Sequence, residues 1–279
     1  MWIDFMRNRT SAVTAGLIVL MGLALYTVCR KPGPPPSVSQ TASPPATGAE
    51  RPAAAPNAPV MDEKAANAIA DLVARWDQLQ SFSAAVATEL PQEAARKPGV
   101  TKGKGTYECA KRGDKLLIRF GLVNNLWITT GDAKSIHTGE ILLFVYDGEF
   151  LYSQLQQPQL KKTTKSVYEP DRVLQFGGRE LFRSLSETNG LKLAGEQMVD
   201  DRAAYVIEAT PTTGDGSAVH YFDKQTGARL KMIVRDKDGK DTLILTLSDL
   251  KADPELSEDY FIYKLPEGFE LIDKTHDEP

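Results

Sequence analysis

The clearest apolar pattern in the chain is a helical repeat that follows Asp62, a residue suited to an N-cap. Large apolar residues recur there at spacings of three and four, which is the pattern of one helix face; they are Ile69, Leu72, Val73, Trp76 and Leu79. Polar residues fall largely on the opposite side. The pattern predicts an amphipathic helix of about four turns, which needs an apolar platform to lie on.

From residue 81 onward the apolar period changes to two, which predicts β-strands. Asp147 and Gly148 supply the tight turn of a hairpin in residues 141–155. Residues 171–186 predict a second helix, which Gly177 and Gly178 divide into two pieces. The remaining strand runs are 81–88, 105–111, 115–122, 160–167, 191–199, 203–210, 218–223, 229–236 and 242–247. Strands and helices do not alternate as in a parallel sheet, so we expect an α+β fold with one large curved antiparallel sheet of ten or eleven strands and two or three helices.

One predicted strand is apolar on both of its faces. Ile141, Leu143 and Val145 point to one side, and Leu142, Phe144 and Tyr146 point to the other. A sheet with one wet face alternates more cleanly, so either both faces are covered within the domain or one lines a cavity or contact surface. Aromatic side chains that would grip an apolar ligand there are Trp127, Phe144, Tyr146, Phe150, Tyr152 and Tyr205. Ordinary core packing is the alternative for each of them.

Another run, Lys161, Lys162 and Lys165, alternates with threonine on the strand predicted at residues 160–167. Lysines on a strand often protect an exposed sheet edge from pairing with another chain. The alternative is a basic patch for anionic lipid headgroups. We favour edge protection.

The N-terminal part of the chain has a different character. Residues 10–29 carry no charge, and an apolar helix of about 20 residues crosses a hydrocarbon core. A retained transmembrane helix, simple cleavage as a signal peptide, and lipidation of Cys29 after cleavage all remain open. Basic residues tie on the two sides of the segment, so charge does not fix its orientation.

A tract rich in proline and alanine follows the apolar segment, and it has too few large apolar residues to build a core. We therefore divide the chain into an N-terminal transmembrane anchor or signal segment (residues 1–30), a disordered tether (31–60) and one folded domain (61–279). The order of the three parts predicts a domain that is anchored to a membrane and faces the periplasm or another extracytoplasmic space.

Charge and chemistry narrow the function. The formal net charge is −4, which argues against a nucleic-acid partner. None of the three histidines, His137, His220 and His276, forms a metal-binding motif, and no nucleophile or phosphate-loop signature occurs. His137 lies near Asp132 and Glu140 in sequence, but a solvated histidine is the favoured interpretation. We predict no catalytic residue, no metal and no cofactor.

Four local phrases give the folded part a resemblance to the LolA-like proteins, the periplasmic carriers and receptors for outer-membrane lipoproteins. The resemblance spans residues 62–273 and rests on the phrases AIADLVARWDQLQSFSAAVATEL, GKGTYECAKRGDKLLIRF, YDGEFLYS and YFIYKLPEGFELID. It implies an unclosed β-barrel, with helices on its concave side and an apolar cavity between them that accepts acyl chains. In the closing phrase it implies a strand, then proline and glycine, then another strand.

The resemblance implies lipid acyl chains or lipidated proteins as partners, in lipoprotein sorting or reception. The same fold also occurs in envelope stress sensors, so a protein-interaction module without lipid transfer remains the alternative. A freely diffusing carrier would not keep a long anchor and tether, which favours a membrane-tethered receptor.

Overall fold

The structure is a computed structural model that describes residues 60–91, 100–129, 135–167 and 175–276. Within these residues the chain forms two α-helices, α1 (Glu63–Gln78) and α2 (Arg179–Thr188). It also forms one short 3₁₀ helix (Glu258–Phe261). The strands are β1 (Ser81–Glu89), β2 (Val100–Arg112), β3 (Lys115–Thr129), β4 (Ser135–Tyr146), β5 (Phe150–Gln157), β6 (Leu160–Val167), β7 (Asn189–Val199), β8 (Arg202–Pro211), β9 (Ser217–Asp223), β10 (Arg229–Arg235), β11 (Asp241–Ala252) and β12 (Glu270–Asp273).

All twelve strands belong to one sheet in the order β12-β6-β5-β4-β3-β2-β1-β11-β10-β9-β8-β7. Every neighbouring pair is antiparallel except β12 and β6, which run parallel. Since β12 and β7 are the two ends of this order, the sheet is not closed. This agrees with the expected α+β fold, although the strands outnumber the ten or eleven predicted.

The predicted anchor and tether, residues 1–30 and 31–59, lie outside the described residues. In the part of the chain that the structure describes, no helix combines the length and apolarity needed to cross a membrane.

Helix α1 forms as the pattern predicts and begins at its expected cap. The Asp62 carboxylate accepts a hydrogen bond from the Ala65 N–H at 2.6 Å, which satisfies one of the free donors at the helix start. The Asp62 N–H in turn donates to the Leu191 carbonyl on β7 at 3.2 Å. At the other end, the Trp76 ring packs on Phe82 of β1 at 5.3 Å between centroids. Helix α1 therefore starts at β7 and ends at β1.

The length of α1 matches that path. Its 16 residues span about 24 Å at 1.5 Å per residue. The five steps from β7 to β1 in the sheet order cover a similar distance at about 4.8 Å per strand. The helix therefore crosses the strands from β7 to β1 and is too short to reach β4, β5 or β6.

Helix α2 begins later than the sequence pattern suggested, after the glycine pair. Gly178 precedes it with φ 88°, a conformation that favours glycine. A Cβ on Gly177 would lie 2.3 Å from the Trp76 ring, so the indole packs directly on the glycine backbone. The predicted residues 171–174 lie outside the described part, and the helix that follows ends at Thr188, next to β7.

We call the face of the sheet that meets the helices the inner face. Its packed cluster joins both helices to β7, β8 and β9 and consists of Ile69, Leu72, Leu181, Phe182, Leu191, Ile207, Ala209 and Phe222. The opposite, outer face is covered over β2 and β3 by the segment around the 3₁₀ helix, where Phe261 packs on Ala110 and Leu117. Both faces of the sheet thus bury apolar residues.

Two sequence-based interpretations were wrong: a strand expected in the closing phrase, and the free sheet edge that the lysines of β6 were expected to protect. The resemblance implied a strand at the start of YFIYKLPEGFELID, but Glu258–Phe261 forms a 3₁₀ helix whose Phe261 is buried. The second strand of that phrase exists as β12. Strand β12 pairs with β6, so β6 is not a free edge. Lys162 and Lys165 instead approach Glu270 and Asp273 on β12, at 3.5 and 4.0 Å.

Candidate functional site

A row of aromatic rings runs along the inner face from α1 to β4. In order it contains Trp76, Phe82, Tyr107, Phe176, Phe120 and Phe144, with successive ring centroids 5.3, 6.2, 4.4, 6.1 and 6.1 Å apart. Such distances allow the tilted contacts that aromatic pairs prefer. We call this set the aromatic row.

The aromatic row is tightly buried in its middle and opens at one end. Phe82 and Phe120 have no exposed area, and Tyr107 and Phe176 have 1% each. Only the last ring, Phe144, is half-buried. The protein's own side chains therefore fill the inner face over β1 to β3, and a guest molecule would find apolar surface only from Phe144 onward.

The register of the strands identifies the surface next to Phe144. Phe144 pairs with Ser153, while the flanking pairs on the same face are Tyr146 with Leu151 and Leu142 with Leu155. Leu151 and Leu155 are half-buried, like Phe144, and so is Leu160, which pairs with Gln157. We call Phe144, Leu151, Leu155 and Leu160 the β4–β6 inner surface.

The six aromatic candidates from the sequence do not share one surface. Phe144 and Tyr146 lie on the inner face of β4, as alternation predicted. Tyr205 also faces the helices but lies on β8, where it packs against the helix-covered cluster. Phe150 and Tyr152 face outward. The backbone of Trp127 lies on β3 opposite His137, and its side chain is outside the described residues.

The two outward-facing aromatics are held by the C-terminal segment. The Tyr152 ring stacks on Tyr263 at 4.7 Å. The Tyr263 hydroxyl is 2.6 Å from the Thr163 hydroxyl and donates to the Gln154 side chain at 2.9 Å. These contacts show Tyr152 packed beneath Tyr263, within the outer cover of the sheet.

A buried polar network borders the β4–β6 inner surface. The Glu140 carboxylate is only 2% exposed and accepts hydrogen bonds from the amides of Asn124, at 3.1 Å, and Gln157, at 2.7 Å. All three positions lie on the inner face, and sequence analysis did not find this cluster. Glu140 was considered only as a neighbour of His137, whose side chain is outside the described residues.

The Cys109 thiol and the possibility of a metal site complete the chemistry of the described residues. Burial raises the pKa of the Cys109 thiol to about 12, so it stays protonated at neutral pH and is a poor nucleophile. Among the described residues, no three His, Cys, Asp or Glu side chains are grouped so that they could hold a metal ion.

Two grooves lie on the outer side of the sheet. One, of about 760 Å³, is lined by polar and charged residues including Arg112, Asp253 and Glu255. The other, of about 250 Å³, lies between Arg119, Leu143 and the segment Asp259–Lys264. Their charged walls are less suited to an alkyl chain than the β4–β6 inner surface is.

Comparisons with known proteins place this arrangement among solved structures. No protein-family model matches the sequence, and no curated protein matches it. An uncharacterized conserved protein from Thermus thermophilus is similar in structure, with a TM-score of 0.45 and 14% identity over 75% of this chain and 99% of that one. A domain from Vibrio parahaemolyticus, assigned to outer membrane lipoprotein sorting, has a TM-score of 0.35 and 15% identity over 71% and 96%.

A third similar structure is that of the Pseudomonas aeruginosa MucA/MucB complex. Its TM-score is 0.36, with 15% identity over 72% of this chain and 61% of that chain, so this protein spans less than two thirds of its length. All three structures have identities below 25% and TM-scores below 0.5, so they carry no argument about a ligand or partner of this chain.

Proposed function

We propose that the domain is an extracytoplasmic module that binds acyl chains of lipids or lipoproteins on the β4–β6 inner surface. The observation that supports this most is the reach of α1, which crosses from β7 to β1 and stops there. The aromatic row continues beyond it and ends in half-buried apolar side chains on β4, β5 and β6.

Physical chemistry favours an acyl chain as the occupant. Each methylene group removed from water contributes about 0.8 kcal/mol, so even part of a chain laid along Phe144, Leu151 and Leu155 would bind measurably. Such binding needs apolar area and no catalytic group. The uncharged segment at residues 10–29 and the tether after it would keep the domain close to a membrane, where such ligands are found.

The test compares Phe144→Asp with Ile141→Asp. Both residues lie on β4, but Phe144 faces inward and Ile141, which is 36% exposed, faces outward. Each variant and the wild-type domain would be purified from a bacterial envelope, and bound lipids identified by mass spectrometry. We expect acyl chains with the wild type and Ile141→Asp, and at least about tenfold less with Phe144→Asp, because a buried carboxylate next to an alkyl chain is strongly unfavourable.

Two outcomes would contradict the proposal. One is equal lipid retention in both variants, and the other is a wild-type protein that carries no acyl chain and does not bind added dodecanol. Thermal unfolding of each variant is the control, since a variant that has lost its fold says nothing about the surface.

A second candidate function is an envelope protein-interaction or stress-sensor module. The observation behind it is the C-terminal segment, which leaves Tyr260, Ile262, Leu265 and Leu271 between 41% and 53% exposed. Clustered exposed apolar residues mark many protein contacts. Crosslinking from Ile262 to a defined envelope protein, with no lipid on the purified domain, would favour this function over the first.

A further inference from the structure

A buried positive charge lies on the inner face of β10. The Arg229 side chain is 8% exposed, and its Nε has no hydrogen-bond partner among the described residues. Its Nη1 donates to the sulfur of Met232 at 3.6 Å, which is a weak acceptor. No carboxylate among the described residues forms an ion pair with it. An uncompensated charge of this kind is expensive to bury.

His220 on β9 adds a second unsatisfied group beside it. The imidazole is 2% exposed, and neither of its ring nitrogens has a hydrogen-bond partner within the described part of the chain. Burial, together with the positive charge of Arg229, holds the pKa of His220 well below its usual range, so the ring is neutral and carries one N–H donor. Buried polar groups are nearly always hydrogen-bonded, and here two adjacent ones are not.

The surroundings of the pair are aromatic. The Arg229 guanidinium and the His220 ring each lie 5.9 Å from the Phe222 ring. The backbone N–H of Arg229 donates to the backbone carbonyl of Phe176, a residue of the aromatic row. The pair thus faces the packed interior of the domain between the helix-covered cluster and the aromatic row, away from the grooves of the outer face.

We propose that Arg229 and His220 form a binding site for one oxyanion, a carboxylate or a phosphate. The anion would supply the missing counterion and accept hydrogen bonds from the Arg229 guanidinium and the His220 N–H. The aromatic walls suit an anion that carries an apolar tail better than a small hydrated ion, because they offer contact area and few hydrogen bonds. Since both side chains are more than nine-tenths buried, the anion enters only when their cover opens, and binding is slow.

This site goes beyond the proposed function, since it adds charge recognition at a place distinct from the β4–β6 inner surface. The test uses the full chain with three probes: dodecanoate, which has charge and tail; dodecanol, which has the tail alone; and inorganic phosphate, which has the charge alone. Binding would be followed by calorimetry after incubation long enough for slow entry.

The decisive variant is Arg229→Met, which keeps the length of the side chain and removes its charge. The matched control is Lys231→Met, which removes a cation from the outer face of the same strand, where Lys231 lies over Tyr221. We expect wild type and Lys231→Met to bind dodecanoate more tightly than dodecanol. Arg229→Met should weaken dodecanoate binding by about tenfold to a hundredfold and leave dodecanol binding unchanged.

Arg229→Met should also leave the unliganded domain as stable as the wild type or more stable, because it removes a buried unpaired charge. If that variant fails to fold, Arg229→Lys provides the second measurement. It keeps the charge and should retain the preference for dodecanoate over dodecanol, and loss of that preference would contradict the site.

The possible failures can be told apart. Equal binding of dodecanoate and dodecanol in every variant would overturn the anion site and leave the proposed function standing, with a buried water in place of the anion. Binding of phosphate that depends on Arg229, without any binding of dodecanol or dodecanoate, would support the anion site and overturn the proposed function.

Discussion

Two parts of the inner face differ in how completely their apolar residues are buried. From β7 to β1, two helices cover the strands, and residues such as Leu72 and Phe222 are completely buried. On β4 and β5, the apolar residues Phe144, Leu151 and Leu155 lie on the same face but keep part of their surface exposed. The inner face is therefore sealed where the helices and the aromatic row cover it, and it is left partly open from Phe144 onward.

The largest expected effect is on the free energy of unfolding. It tests whether the helix-covered part of the inner face contributes more stability than the β4–β6 inner surface does. Trp76→Ala removes the ring that packs on Phe82 and on the glycines before α2, and we expect it to cost about 3 to 5 kcal/mol. Phe144→Ala should cost about 1 to 2 kcal/mol, because that ring is only partly removed from water. Urea unfolding measures both. Equal losses of unfolding free energy would contradict this difference, since the two regions would then be packed alike.

A smaller effect concerns how closely α1 approaches the sheet. Gly227, at φ 75°, lies under the helix, and a Cβ there would come within 2.2 Å of the Leu72 carbonyl. Gly239, at φ 76°, has nothing within 4 Å of the same position. Both alanine variants share the conformational cost of about 1 to 2 kcal/mol. Gly227→Ala should lose about 1 to 3 kcal/mol more, from the close contact.

The matched pair of glycines makes this measurement specific for the helix contact. Chemical denaturation of the two variants under the same conditions gives the difference directly. If Gly239→Ala is as harmful as Gly227→Ala, backbone strain explains both and the helix does not press on that turn.

The smallest effects are in the pH dependence, where two largely buried carboxylates, Asp223 on β9 and Glu108 on β2, should behave oppositely. Burial alone would raise the pKa of Asp223 at the end of β9, but hydrogen bonds from Arg202 and Thr226 outweigh it and hold that pKa below its usual value. Its contribution to stability is therefore present above about pH 4 and is lost as the pH falls through the lowered pKa. Asp223→Asn should destabilise the domain at pH 7 and converge with the wild type in acid.

On the outer face, burial raises the pKa of Glu108, and hydrogen bonds from Thr106 and Tyr260 only partly offset this. The folded state therefore disfavours the ionised carboxylate, and the cost appears as the pH rises above about 4. Glu108→Gln should stabilise the domain at pH 7 and have little effect in acid. Thermal unfolding of both variants between pH 3 and 7 checks these opposite slopes, and parallel curves would contradict them.

Local elements were predictable because their signals are local. The cap at Asp62 and the period of α1 specify that helix, and Gly148, with φ 92°, forms the β4–β5 turn as its sequence indicated. The parallel pairing of β12 with β6 has no such signal, because it joins segments about a hundred residues apart. Alternation along the strand predicts that Tyr152 lies on the face opposite Leu151. The sequence does not predict which segment covers each face of the sheet.

The oxyanion site was beyond sequence analysis for a related reason. Arg229 begins a strand directly after a turn, a place where a cation is usually solvated, and His220 reads as an ordinary strand residue. Only the folded chain shows that both side chains are buried beside the Phe222 ring.

The order of the strands also has a consequence for synthesis on the ribosome. Strands β1 to β6 pair with their sequence neighbours, and so do β7 to β11, while a single pairing of β1 with β11 joins the two sets. Each set can therefore form while translation continues, but the junction must wait until residues 241–252 emerge. Until then β1 keeps an unpaired edge, so a nascent chain exposes a strand that another protein could capture.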